Sequence, residues 1–578
     1  RAASVAGQQG REELEREAVR GYDRLGLFAD AVWAASAADP SLSATHQAEV
    51  FGALQDAVAG AADRSVAEQA ARRYVTSQRP ELADLMRERQ QLEREWAVLD
   101  GDLTAGYGAP GGGGGEVPAI RARLGRLQER IAEIDARLAV DAPDYFALIE
   151  PTPLTREQAR ALMRPDEAAL LVVPSPYGTH VVVVTREGIT WHRSRRDLRD
   201  IRTAVQHLRW DAGASVDGTE RELARLRARD ESDGDSPRFE RAPAYALYRE
   251  LIAPVSAAIA GKSRLYVAAG DSLAGLPFSL LVTAPPEGAD DDPAALRETR
   301  WFGDEYSLVH IPSLQSLALL RDAPQTSGGG GFFGIGDPVL TGSSSTRGRG
   351  ATRGAPATSG MFQQATVRGA PPMADPDELR RMARLPGTAI ELETVRRTLD
   401  APASALLLAS RATERNVRTA DLSREAVILF STHGLTAAEA SGIGEAGLVL
   451  TPPDEASEED DGYLSASEVT TLNLSADWVI LSACNTATGD SRGSGGLGPL
   501  ARAFFYAGAR GMLASHWPVS DEVAPVLIAR TLELERSGTR RADAFRQAMR
   551  EIRTRADRPE WAHPFYWAPF ALIGDDSR

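Results

Sequence analysis

From about residue 264 onward, short apolar runs alternate with patterns of helical spacing. Runs at 265–268, 306–311, 332–335, 405–408, 427–430, 478–481, 511–515 and 570–573 are rich in apolar residues and read as strands. Those at 427–430 (VILF) and 478–481 (WVIL) are apolar at every position, as in a parallel strand covered on both faces. Between them, 313–321, 388–399, 500–507 and 523–537 carry helical periodicity. The alternation predicts an α/β fold, an α/β/α sandwich around a mostly parallel sheet.

Upstream the pattern differs. Runs at 170–173, 180–185 and 189–192 are separated by turn signals at 174–178 and 187–188, which predicts a β-meander. Helical patterns follow at 197–209 and 245–260, with a charged loop at 230–237. Thr155 and Gln158 have the spacing of a capping box. Residues 1–80 read as short amphipathic helices, interrupted at Pro40 and without a fixed repeat. Leu82, Leu85, Leu92, Trp96 and Leu99 follow heptad spacing, with Arg89 in one seam position. Ile120, Leu124, Leu127, Ile131, Ile134 and Leu138 continue it beyond a Gly111–Gly115 tip. This predicts an antiparallel helical hairpin over about 81–139, either a structural arm or a partner-docking one. The Gly-, Ser-, Pro- and Arg-rich stretch 341–375 has too little apolar surface to offset its ordering entropy and is expected to be disordered. The expected organisation is a helical region over 1–150, the meander with its helices over 151–263, and the sandwich over 264–578.

Composition narrows the function classes. The 578 residues are 43% hydrophobic and 25% charged, ordinary for a globular chain. The net charge of -16 argues against a non-specific nucleic-acid binder. No apolar run is long enough for a membrane span, and the first ten residues lack a signal-peptide core. The chain opens on Arg1 rather than Met, so residues upstream are expected. A single cysteine excludes an internal disulfide and any multi-cysteine metal site, and suits a reducing cytoplasm. Only one of the 65 basic residues is lysine, which reads as a GC-rich, bacterial genome.

The chemistry concentrates at two strand ends. Cys484 lies just past the 478–481 run and His433 just past the 427–430 run. Open α/β sheets place ligands at that edge. Neighbouring parallel strands would bring the imidazole and thiol together, letting His433 take the thiol proton and return it to a leaving amine. The backbone N–H groups of Gly434 and Cys484 would form an oxyanion hole. Taken singly, a strand-end cysteine is usually a small buried hydrophobe and a lone histidine a satisfied structural residue; the pair, at a caspase-type spacing, points to nucleophilic catalysis.

With these residues in view, the chain resembles the CHAT proteases, relatives of caspases, separase and gingipains. The resemblance covers about 165–575 and rests on an ordered set of segments: GDSLAGLPFSLL from Gly270, LPGTAIELETV from Leu385, FSTHG from Phe430, DGYLSASEV from Asp461, LSACNT from Leu481, GGLGPLARAFFYAGARGMLASHWPVSDEVA from Gly495 and HPFYWAPFALIG from His563. It implies a caspase-like fold, with His433 as general base and Cys484 as nucleophile. By the same resemblance, Asp521 reads a basic residue before the cleaved bond; a carboxylate favours Arg through a bidentate pair. The alternative is that Asp521 caps the helix starting near Val523. His516 departs from the family, which usually has an apolar residue before Trp517, and is assigned no role.

The resulting expectation is a cytoplasmic cysteine endopeptidase acting on protein or peptide substrates. It needs no cofactor or metal, and binds neither nucleic acid nor membrane. The resemblance implies control by an upstream or partner sensor module in bacterial signalling or defence, with the helical region as a docking surface. The rivals are an inactive scaffold of the same fold and a non-proteolytic acyltransferase or hydrolase. Gly493, Gly495 and Gly498 spell GxGxxG but do not directly follow a strand, so they are read as a loop beside the nucleophile. The acidic run 455–461 is read as a solvated loop. Arg347, Arg349, Arg353 and Arg368 make the 341–375 insertion either a self-processing site or an inert linker.

Overall fold

A computed structural model describes residues 22–39, 43–59, 65–71, parts of 79–99, 116–142, 152–214, 238–322, 330–342, 373–437, 439–440, 445–483, 486–487 and 498–576. Fourteen strands are present among them: β1 (Glu167–Ser175), β2 (Gly178–Val184), β3 (Ile189–Ser194), β4 (Arg264–Ala269), β5 (Ser307–His310), β6 (Gly331–Gly336), β7 (Leu406–Leu408), β8 (Glu425–Ser431), β9 (Gly434–Leu435), β10 (Gly447–Val449), β11 (Tyr463–Ser465), β12 (Trp478–Ser482), β13 (Gly511–Ser515) and β14 (Phe570–Gly574).

Eleven of them form one sheet in the order β3-β2-β1-β4-β5-β14-β13-β12-β8-β6-β7. The β1–β3 meander is antiparallel, and β1 then pairs parallel with β4, so it extends the same sheet. The pairs β12/β13, β12/β8, β6/β8 and β6/β7 are parallel, while β14 runs antiparallel to β13. The other three strands form a small antiparallel sheet, β11-β10-β9, which the sequence reading does not foresee.

Period-two alternation divides the central strands between two cores. Leu429, Trp478, Ile480 and Leu513 face helices Pro386–Thr398, Ala524–Arg536 and Arg541–Arg553, packing with Leu392, Leu527 and Phe545. Their neighbours Ile428, Phe430, Val479, Leu481 and Met512 face Phe504 and Phe505 of helix Pro499–Ala507. Each fully buried Leu, Ile or Phe contributes about 1.5–3 kcal/mol. Helix Arg541–Arg553 falls where no element was expected; its Ala542, Phe545, Met549 and Ile552 form a buried stripe.

In the N-terminal region, helix Glu116–Asp141 packs Ile134 and Leu138 against Leu82 and Met86. Arg130 pairs with Glu88, Arg123 with Glu95, and Arg89 with Asp135. Partner numbers fall from 130 to 123 as 88 rises to 95, so the two segments run antiparallel. The glycine tip lies outside the described residues. The capping box of Thr155 and Gln158 forms, and Asp197 caps helix Leu198–Asp211.

Two expectations need correction. The 341–375 stretch carries defined structure at both ends. The Thr341 N–H donates to Arg380 O at 2.7 Å, and Asp375 caps helix Pro376–Arg380. Residues 343–372 lie outside the described residues. The acidic run is not solvated throughout: Asp460 and Asp461 are buried where the chain turns in to pair β11 alongside β10, with Asp461 bonded to Ala374 and Glu414.

Candidate active site

Strands β8 and β12 are adjacent, parallel and in register to their last residues, Ser431 opposite Ser482. Position 433 is two residues past one end and position 484 two past the other. Cys484 itself lies outside the described residues, as do Gly493 and Gly495.

His433 is fully buried. The chain leaves the large sheet here for the small one: Val449 N–H donates to His433 O at 3.0 Å, and Gly434 opens β9 opposite Leu448. The imidazole Nε2 lies 2.8 Å from Ala383 O. A carbonyl only accepts, so Nε2 carries a hydrogen, and in the neutral imidazole Nδ1 then holds the lone pair. That tautomer suits a base acting through Nδ1. Ser431 Oγ donates to the buried Glu391 Oε2 at 2.9 Å, tying the end of β8 to helix Pro386–Thr398.

Ala383 is itself held by the paired stem of the insertion. Gly342 N–H donates to Met382 O at 2.9 Å, and Arg384 N–H to Gly342 O at 3.3 Å. The Ala374 N–H donates to Asp461 Oδ2 at 2.6 Å. Asp461 also accepts from Tyr463 N–H at 2.9 Å, and Asp461 N–H donates to Glu414 Oε2 at 2.9 Å. Burial pushes the Asp461 carboxyl up to about 6, and raises Glu414 too; Glu468 adds repulsion to both.

Residues flanking position 484 converge on Ser515 at the end of β13. Ser515 Oγ donates to Ala483 O, Ser515 N–H donates to Thr486 Oγ1 at 3.0 Å, and Ala487 N–H donates to Ser515 O at 2.8 Å. Sequence reasoning missed Ser515, Glu391 and the Ala383 carbonyl. A serine ending an apolar strand carries no special signal, and a backbone acceptor carries none in its side chain.

Asp521 sits against the first turn of helix Pro386–Thr398. A Cβ built on Gly387 would meet Asp521 Cβ at 2.7 Å and Cγ at 2.8 Å. Gly387 is four residues beyond Ala383, so one short segment carries the His433 contact at one end and the Asp521 contact at the other. The capping alternative is not what forms: helix Ala524–Arg536 has Val523 at its N-cap, without a side-chain cap bond.

His516 points away from this loop. Its ring lies 6.2 Å from that of His310, and neither nitrogen has a hydrogen-bond partner among the described residues. Burial pushes His310 down to about 4 and His516 well below the ordinary histidine value, so both stay neutral. Among the described residues, no group of three His, Cys, Asp or Glu side chains is placed to hold a metal ion. No helix there is long and apolar enough to cross a membrane.

Among the known proteins that this chain is similar to are a tetratricopeptide repeat protein and two proteins of solved structure. Tetratricopeptide repeat protein 28 of Mus musculus is 31% identical over 113 residues, 20% of this chain and 4% of that protein. The separase–securin complex of Saccharomyces cerevisiae superposes with a TM-score of 0.38 and 9% identity, over 85% of this chain and 37% of that one. Gingipain R, an Arg-specific cysteine proteinase, gives a TM-score of 0.30 and 10% identity, over 66% of this chain and 74% of that one. The chain thus spans a small part of the curated relative's length. The profile of the CHAT domain matches residues 241–575, more than half of the sequence and all of the strands from β4 to β14, and the chain belongs to the CHAT domain family.

Proposed function

We propose that this chain is a cysteine endopeptidase with His433 as general base and Cys484 as nucleophile. The observation that carries the reading is the β8/β12 register. It ends two parallel strands level with one another, each two residues before one member of the pair. The Nε2–H···O=C contact to Ala383 adds the tautomer that a base acting through Nδ1 needs.

The steps balance without a cofactor. Nδ1 takes the Cys484 proton, and the thiolate attacks the scissile carbonyl carbon. The oxyanion is held by the N–H groups of Gly434 and Cys484. The carbon–nitrogen bond breaks as the imidazolium returns its proton to the leaving amine, leaving a thioester. Water, deprotonated by His433, attacks the thioester; the released acid and restored thiol close the cycle.

Asp521 supplies the preference before the scissile bond, favouring Arg, and Gly387 leaves room for its carboxylate. The burial of His433 supports a resting enzyme opened by a regulatory partner, with the N-terminal helices as the docking surface. A single cysteine supports a reducing compartment such as the cytoplasm.

The test is a proteome-wide cleavage profile of the chain, with and without its activator. Cys484→Ala is expected to abolish every cleavage. His433→Ala is expected to lower turnover at least ~100-fold, the lower range for a lost general base. Near-normal turnover by either variant would remove the assignment. No cleavage and no labelling by a thiol-directed peptide probe under any condition would leave a scaffold instead.

A further inference from the structure

Far from the dyad, a cavity of about 390 Å³ opens between the N-terminal helices and the meander. That size is in the range of small-molecule sites. Three aromatic side chains shape it. Trp33, from the helical residues 22–38, meets Trp191 of β3 edge-on, with ring centroids 4.8 Å apart. Phe51, from helix Ser43–Val58, completes the wall with Val182 and Ile189.

Its polar groups are few. Arg156 and Gln47 line it, and the Arg156 guanidinium donates to Gln47 Oε1 at 3.2 Å. Most described arginines of this acidic chain face a carboxylate; among the described residues Arg156 has none. Ser36 Oγ, also in the lining, is buried and has no hydrogen-bond partner among the described residues.

The walls are fixed from both sides. Asp30, on the same helix as Trp33, binds Arg193 at 2.6 Å, Ser175 at 2.7 Å and His180 at 3.2 Å. Gln55, on the same helix as Phe51, exchanges two hydrogen bonds of 3.0 Å with the Leu154 backbone. Burial alone would raise the Asp30 carboxyl, yet its hydrogen bonds hold it down to about 2, so it stays charged and paired with Arg193. The cavity is therefore preformed, which lowers the ordering cost of filling it.

We infer that this cavity is a binding site for a small aromatic acid, a flat apolar body with one anionic group. The rings of Trp33, Trp191 and Phe51 take the body, and Arg156 takes the anion with Ser36 as a further donor. The inference is independent of the proteolytic reading, since none of these residues belongs to the dyad region. A bound ligand would touch both helices and the sheet at once, and so would stabilise their docking.

The experiment uses two dyes on the full chain. One is 8-anilinonaphthalene-1-sulfonate; the other, N-phenyl-1-naphthylamine, has the same rings without the sulfonate. Fluorescence titration is expected to show one saturable site per chain for each, with the sulfonate dye tighter. Arg156→Gln should weaken the sulfonate dye about 10-fold, the loss expected for one charge-assisted hydrogen bond, and leave the neutral dye within about 2-fold. Ala37→Trp, a rim substitution at an exposed helical position, should block both dyes while circular dichroism stays unchanged. Sulfonate-dye binding unaltered by Arg156→Gln, or both dyes saturating equally in a folded Ala37→Trp, would overturn the site.

Discussion

Ser515 contacts the backbone on one side of position 484 and the backbone and side chain on the other, so a single residue ties down Ala483, Thr486 and Ala487 together. On the proteolytic reading it is a positioning residue. Ser515→Ala keeps the two backbone N–H donations and loses the hydroxyl's bond to Ala483 O and its 3.4 Å contact with Thr486 Oγ1. It should lower kcat by about 10- to 100-fold, the cost of a displacement near 1 Å at a reacting atom, with KM little changed. The rate of Cys484 alkylation by iodoacetamide should change with it. An unchanged alkylation rate beside an unchanged kcat would make Ser515 structural only. Asp521 carries the second residue-scale prediction. Asp521→Asn should weaken Arg substrates far more than apolar ones. Gly387→Ala should do the same from the neighbouring helix, since its Cβ would overlap the carboxylate. A library preference for Leu or Met before the scissile bond, unmoved in either variant, would remove the pocket reading.

The small sheet and the insertion stem form the element that holds His433, and their junction is acidic. Asp461, Glu414 and Glu468 gather where Ala374 enters, and burial raises the first two. An acid whose folded value is raised binds protons more tightly in the native state than in the unfolded one. Its contribution is therefore present below the unfolded value near 4 and is lost as pH rises through the folded value, about 6 for Asp461. The urea midpoint should fall between pH 4.5 and 7. Glu468→Gln keeps the capping-box geometry with Ser465 and removes a charge that raises both neighbours, so it should flatten the slope. Equal slopes in wild type and variant would locate the pH dependence elsewhere. This element was the least legible in the sequence. Most strands of the large sheet lie in apolar or β-branched runs of four or more residues, long enough to show, whereas β9 to β11 are two or three residues long and pair across intervening loops. Helix Arg541–Arg553 had a readable stripe, obscured by its arginines; Arg541 is buried beside Trp478, 4.5 Å from the ring centroid. Of the candidate site, the strand ends bearing His433 and position 484 could be read from apolar runs. The Ala383 carbonyl could not, because only the folded stem brings it to the imidazole.

At the scale of the whole molecule, one sheet runs from the meander to β7, and its two halves meet where β5 touches β14 at the single pair His310–Ile573. So thin a backbone junction leaves the joining to side chains. Arg264, at the start of β4 and with no exposed surface, pairs with Asp576 just beyond β14 at 2.6 Å and with Asp543 at 3.0 Å. Tyr266 donates to the other oxygen of Asp576 at 2.5 Å, and Arg321 joins Glu167 at 2.9 Å beside it. The charges are buried, so their desolvation offsets much of their attraction, and the network is weak evidence for net stability. What it does dictate is the cost of breaking it by halves. Asp576→Ala leaves Arg264 with less compensation in a buried place and should cost about 3–5 kcal/mol, the range for one lost partner of a buried pair. Replacing both, as Arg264→Met with Asp576→Leu, should recover most of that loss, because no uncompensated cation remains between the halves. The measurement is the urea midpoint of the three variants, with limited proteolysis to show whether the halves separate before they unfold. A double variant no more stable than Asp576→Ala would mean that the loss comes from the missing Asp576 contacts themselves, Tyr266 among them, and not from an uncompensated Arg264 between the halves.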